Sequence, residues 1–153
     1  MSSKPLSPSE TSETAKGEAK GTIKGNITNL YTEKKYPFNA TWIWRDEQQG
    51  TLRFHGTMQD PEREGRTVVV GVRLSQKDAS GNYETGDERI LYLSYSSRNL
   101  SDGGTIEFDA TTGTVGIQNS YPQQPVNGKL DFQTSKVGRD HYHVEVVFEI
   151  SQF

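Results

Sequence analysis

Apolar side chains recur at every second position through most of this chain, in short runs separated by clusters of Gly, Pro, Asn, Asp and charged residues. That period belongs to an extended strand with one wet and one dry face. The clearest run is 142–150, where Tyr142, Val144, Val146, Phe148 and Ile150 share the inward face and His141, His143, Glu145 and Glu149 the outward one. Val68, Val70, Val72 and Leu74 form the dry face of a strand at 67–75, where β-branching suits a pleated, half-buried surface. Gly71, on its other face, predicts a bulge or a close backbone approach. Residues 36–58 predict a hairpin. Tyr36, Phe38, Ala40, Trp42 and Trp44 alternate with Asn39, Thr41 and Arg45, and Ile43 is the exception. A polar, Gly-ended gap at 46–50 follows. Leu52, Phe54, Gly56 and Met58 then alternate with Thr51, Arg53, His55 and Thr57. This places both tryptophans of the protein on the dry face.

Weaker runs fill in the rest. Residues 21–30 predict a first strand with Ile23, Gly25 and Ile27 on one face. Pro61 and Gly65 bracket a charged loop at 59–65. A long polar connection spans 76–88. Residues 89–96 carry apolar side chains on both faces, as expected of a central strand or one that crosses between sheets. Short strands at 105–109 and 114–118 are expected to meet in a tight hairpin through Ala110, Thr111, Thr112 and Gly113. A loop at 119–127 precedes a strand at 128–134 with Leu130 and Phe132 inward. No stretch keeps a period of 3.6 long enough to make a helix. The sum is about nine strands. The expected fold is an all-β antiparallel sandwich with jelly-roll or Greek-key connections, and the alternative is a closed up-and-down β-barrel.

Composition sharpens this picture. Only 31% of the 153 residues are hydrophobic and 15 are glycine, which fits antiparallel sheets that bury alternate residues. Residues 1–19 are Ser, Thr, Glu, Lys, Pro and Gly with little apolar content, so a disordered N-terminal tail is expected before a single domain at 20–153. The absence of cysteine removes disulfides, thiolate metal sites and a Cys nucleophile. A net charge of -3 without a basic stripe argues against nucleic acid. No window resembles a transmembrane segment, and the start of the chain lacks the apolar stretch of a signal peptide. Localisation is therefore expected to be cytoplasmic by default, with leaderless secretion or a trimmed chain as alternatives.

Candidate chemistry is sparse. His141 and His143, at i and i+2 with Glu145 following, are the weak candidates for a transition-metal pair. The oxygen-rich stretch around Asp78 and Asp87 is the weak candidate for calcium, although the EF-hand order of ligands is missing. Three N-glycosylation patterns, at Asn26, Asn39 and Asn99, read as strand and turn composition. No nucleophile elbow, phosphate loop or paired catalytic carboxylate stands out. The leading expectation is a non-enzymatic binding module that recognises a carbohydrate or other polar ligand through Tyr83, Tyr95, Tyr121, Trp42 and Trp44. In a barrel, Trp42, Trp44 and Phe54 would instead line a cavity for a small apolar ligand. A protein-interaction or assembly module using a free strand edge is a third expectation, and a membrane-active β-protein a fourth.

Overall fold

The computed structural model describes residues 18–123 and 125–152. Ten strands are antiparallel to their neighbours: β1 (Lys20–Asn29), β2 (Lys34–Asn39), β3 (Trp42–Asp46), β4 (Leu52–Gln59), β5 (Arg66–Leu74), β6 (Gly81–Glu84), β7 (Ile90–Asn99), β8 (Thr105–Asn119), β9 (Val126–Thr134) and β10 (Tyr142–Gln152). A three-residue 3-10 turn, Gln48–Gly50, is the only helical element among the described residues. The strands form one sheet in the order β2-β1-β10-β9-β8-β7-β5-β4-β3, with β6 paired to β8 off this path. The sheet curls into a half-barrel. As far as residue 17, the expected tail lies outside the described residues. Glu18 forms an antiparallel bridge with Trp44, and the Ala19 N–H donates to the Ile43 carbonyl at 2.8 Å.

The inner face is a continuous apolar core. Val68, Val70, Val72 and Leu74 of β5 and all five inward residues of β10 are buried, as the alternation predicts. Phe54 packs on Phe148 with ring centroids 4.7 Å apart, and Tyr95, Phe108 and Tyr142 form a second aromatic group. One end of the half-barrel is closed by a polar network rather than by apolar side chains. Asp60, 4% exposed, caps the backbone N–H groups of Glu62 and Arg63 and accepts from the Ser97 hydroxyl at 2.6 Å. Glu62 accepts from Asn29 at 3.0 Å and from the Tyr142 hydroxyl at 2.7 Å, while Arg63 pairs with Asp140 at 2.7 Å. Desolvation and then the Glu62 carboxylate raise the Tyr142 pKa far above the usual phenol range.

Three elements differ from the sequence expectation, each for a local reason. The first limb of the 36–58 hairpin is two strands. The Ala40 N–H still bonds to Ile23 of β1 at 2.9 Å, whereas the Thr41 N–H already bonds to Thr57 of β4 at 2.8 Å. The chain changes partner across one peptide unit, and the parity of inward residues resets there. Residues 105–119 form one continuous strand rather than a tight hairpin. Its first part, 105–109, pairs with β7, and its second pairs with β9 and β6 after a register shift between Ala110 and Thr112. Gly113 is required there by packing: a Cβ would sit 2.2 Å from the Asp131 carbonyl oxygen. The polar connection 76–88 contains β6, which uses the edge of β8 that β7 has left.

Candidate functional site

The outer face of β3, β4, β5 and β7 is built in rows by the strand registers. One row reads Asp46, Arg53, Arg73, Tyr92; the next Trp44, His55, Gly71, Ser94; the next Trp42, Thr57, Val69, Ser96. Trp42 and Trp44 therefore face outward, not into the core or a cavity. Ile43 and Arg45 take the inward positions, at 5% and 1% exposure, because of the parity reset at Ala40 and Thr41. Arg45 Nη2 reaches Glu47 at 3.0 Å, and burial lowers the Arg45 pKa against that partner.

The aromatic side chains form a connected surface. The Trp42 and Trp44 rings lie 5.6 Å apart at 44°, and the His55 ring stacks on Trp44 at 8° and 6.3 Å. Trp42 is 36% exposed, while Trp44 and His55 are half-buried. Asp46 anchors the group from beneath. It is 2% exposed and accepts from the Trp44 indole N–H at 3.0 Å, from Arg53 Nε at 3.1 Å and Nη2, and from the Gln48 backbone N–H at 3.4 Å. This fixes the rotamers of Trp44 and Arg53 by charge-assisted bonds. Gly71 supplies the close approach that its position predicts. A Cβ there would fall 3.1 Å from His55 Cβ and 3.8 Å from the Tyr92 ring, so bare glycine lets both side chains lie against the strand. Burial, then Arg53, push the His55 pKa down to about 4, with Asp46 opposing and Arg98 assisting. His55 is thus a neutral ring at ordinary pH, suited to stacking.

The other candidates scatter. Tyr83 is buried, its hydroxyl donates to the Ser80 carbonyl at 3.0 Å, and Arg89 lies 4.4 Å over its ring. Tyr95 is 0% exposed, in the core beside Tyr142. Both were expected on a binding rim, and both point inward: Tyr95 lies opposite Val70 with the parity of buried Leu93 on its own strand, and Tyr83 lies opposite buried Val115. Tyr121 is 44% exposed, with Lys77 5.3 Å over its ring. Asn119 ties its loop to the 75–80 segment by donating to the Lys77 carbonyl at 2.9 Å. Beside these loops lies an open polar cleft of about 570 Å³, lined by Asn82, Gln118, Asn127 and Lys129 over a glycine floor.

Metal candidates do not converge. His143 bonds to Asp131 at 2.7 Å from the outer face of β10, whereas His141 precedes the strand, its carbonyl accepting from Leu30 N–H. Asp87 is held by Arg89 at 2.8 Å, which with the Arg89 N–H lowers its pKa to about 2, and Asp78 is exposed apart from it. Among the described residues no group of three His, Cys, Asp or Glu side chains could hold a metal ion, and no helix is long and apolar enough to cross a membrane.

Sequence reasoning missed the partnership of Trp44, His55, Arg53, Arg73 and Tyr92. Arg53 and His55 were legible as outward residues; the missing step was the inverted parity of β3, for which Ile43 was the one signal. Compared with models of known families, with characterised proteins and with solved structures, the chain matches none significantly.

Proposed function

We propose that this protein is a non-enzymatic binding module whose outer sheet face recognises a carbohydrate or similarly polar, flat-faced ligand. The observation that carries this reading is the outward pair Trp42 and Trp44, held beside neutral His55 and bordered by Asp46, Arg53 and Arg73. Indole faces offer a rigid apolar surface to the C–H face of a sugar, and the flanking guanidinium groups of Arg53 and Arg73, held at the surface over the buried Asp46, offer hydrogen bonds to its hydroxyls. Scattered single apolar residues need no explanation, but a connected and anchored aromatic surface suggests recognition. The rival reading, an apolar ligand inside, loses its expected tryptophan wall, since Phe54 is filled against by Phe148.

Within the all-β architecture, we read the half-barrel as an up-and-down barrel rather than a sandwich. Two features support this. Sheet neighbours are chain neighbours except at β6 and at the β1–β10 pair, without Greek-key crossings. The two edges of the sheet also approach each other, since the segment leading into β1 meets β3 through the Glu18–Trp44 bridge and the Ala19–Ile43 bond.

The test is a titration with neutral and acidic oligosaccharides, followed by tryptophan fluorescence and the two indole N–H resonances. Binding is expected to quench the fluorescence, and Trp42→Ala to weaken it by about tenfold, or ~1.4 kcal/mol. Because Trp42 is only 36% exposed and packs on Trp44, the same change should also cost about 1–3 kcal/mol of stability, so binding is compared where unfolding curves show both proteins fully folded. Shifts confined to the Asn82–Lys129 cleft, with the indoles silent, would move the site there and refute the platform.

A further inference from the structure

We infer that the ligand of this face carries a negative charge, an acidic sugar rather than a neutral one, and that Arg73 is the group that selects it. This rests on the platform reading above. The row Asp46, Arg53, Arg73, Tyr92 contains two guanidinium groups and one carboxylate. Asp46 is committed: it accepts from Trp44, Arg53 and Gln48, and it is 2% exposed. Arg53 is thereby neutralised as a pair. Arg73 is not. Its Nε donates to the Thr51 hydroxyl at 3.2 Å, and among the described residues no carboxylate pairs with it. It is half-buried on the outer face, between Arg53 and Tyr92 and next to the Gly71 position over which His55 and Tyr92 close. The Nε bond orients the guanidinium while leaving its terminal nitrogens to a ligand. A planar, oriented guanidinium is the side chain best matched to a carboxylate or sulfate.

The surrounding charge gives the site direction. The chain as a whole is -3, so a positive surplus on this face does not follow from composition. Glu107 and Asp109 of β8 stand opposite Ser96 and Ser94, one strand beyond the patch. They repel an anion from that side and leave the span from Trp42 to Arg73 as its place. Arg73 lies two strand spacings across from β3, one row along from Trp44 and two rows along from Trp42, so registration sets backbone spans of about 12 Å and about 17 Å, which a tetrasaccharide with one ring stacked on the tryptophans can bridge through its following rings.

The experiment compares three tetrasaccharides on the full chain by calorimetry: oligogalacturonate, a sulfated heparin fragment and neutral cellotetraose. At least one acidic probe is expected to bind about tenfold tighter than the neutral one. Its affinity should fall between about 50 mM and about 500 mM salt, as a partly exposed ion pair requires. Oligogalacturonate carries carboxylates alone, so its binding shows that a carboxylate suffices, whereas binding of the heparin fragment alone assigns the preference to sulfate. Arg73→Gln should erase the acidic preference, and Arg73→Lys should restore part of it through a point charge. Equal binding of neutral and acidic probes would overturn the charge assignment while leaving the platform intact. Binding of none, with silent indoles, would overturn both. Should Arg73→Gln unfold the protein, salt dependence and the three-probe comparison on the unaltered chain still decide.

Discussion

Acidification puts a proton on His55 in the unfolded chain long before it does so in the folded one. The ring sits against Trp44 and above Gly71, and the charged groups that face it are Arg53 on its own strand, Asp46 on β3 and Arg98 on β7. Its pKa is held at about 4 instead of 6.5, chiefly by loss of solvent and then by Arg53. Between those two values the unfolded state binds more protons, so stability rises with pH across that window and is lost as pH falls through it. A shift of this size has a ceiling of about 3 kcal/mol, and at pH 5 about 2 kcal/mol of it is gone relative to neutral pH. The assay is urea unfolding, monitored by tryptophan fluorescence, of the native protein and His55→Gln at several pH values from about 7 down to about 5. Carboxylates remote from His55 titrate alike in both proteins and cancel. Whatever its value at neutral pH, the stability difference between them should shift by about 2 kcal/mol in favour of the variant over that range. A constant difference would mean that His55 is solvated or already charged in the folded protein, and the stacked, neutral ring would have to be abandoned.

Asp46→Ala leaves Arg53 and the Trp44 indole N–H without their shared acceptor, and should cost about 3–5 kcal/mol in the same unfolding assay. A loss below about 1 kcal/mol would show that water replaces the carboxylate without difficulty. Gly25→Ala places a Cβ 2.0 Å from the Glu145 carbonyl oxygen and 2.7 Å from Val146 Cα, so β1 and β10 must move apart. A destabilisation of at least about 1–3 kcal/mol is expected, with amide exchange accelerating first along Ile23 to Ile27, and unchanged exchange there would contradict the close approach.

Most of the sheet was legible because burial imposes a period of two on any strand with one wet face. β10 satisfies that rule throughout, and β5 does so except at Gly71, which is buried on the outward side where His55 and Tyr92 lie over it. Where the pattern misled, a strand changed partner without a turn. Between Phe38 and Ile43 the chain passes from β1 to β4 with no Gly or Pro to mark the step, and the apparent alternation through Ala40 runs straight into Trp42. In β8 the residues Thr111, Thr112 and Gly113 have turn composition but serve a partner exchange, and Gly113 is there because β9 comes too close for a side chain. Such exchanges depend on what lies beside the strand, which local composition does not encode. The candidate site inherits the same difficulty: a single reset of parity decides whether two tryptophans are core or surface.

The β1–β10 ladder, from Ile150 opposite Gly21 to Tyr142 opposite Asn29, joins the first strand of the sheet to the last. During synthesis, the β1–β2 hairpin must wait with one edge open and Ile23, Ile27 and Phe38 uncovered until β10 emerges. Strands β3 to β9 can add one after another meanwhile. The closing step thus spans nearly the whole domain and carries the largest loop entropy, which places it late and slow. Until then the unpaired edge is the part of the protein most open to mispairing with another chain. The same ladder holds Lys20 beside Ser151, its carbonyl accepting from the Ser151 hydroxyl at 3.3 Å, so the start of β1 and the end of β10 can be joined by a short linker. A circular permutant opened in the 99–104 turn would convert that late, distant pairing into a local hairpin and should fold faster with the same sheet.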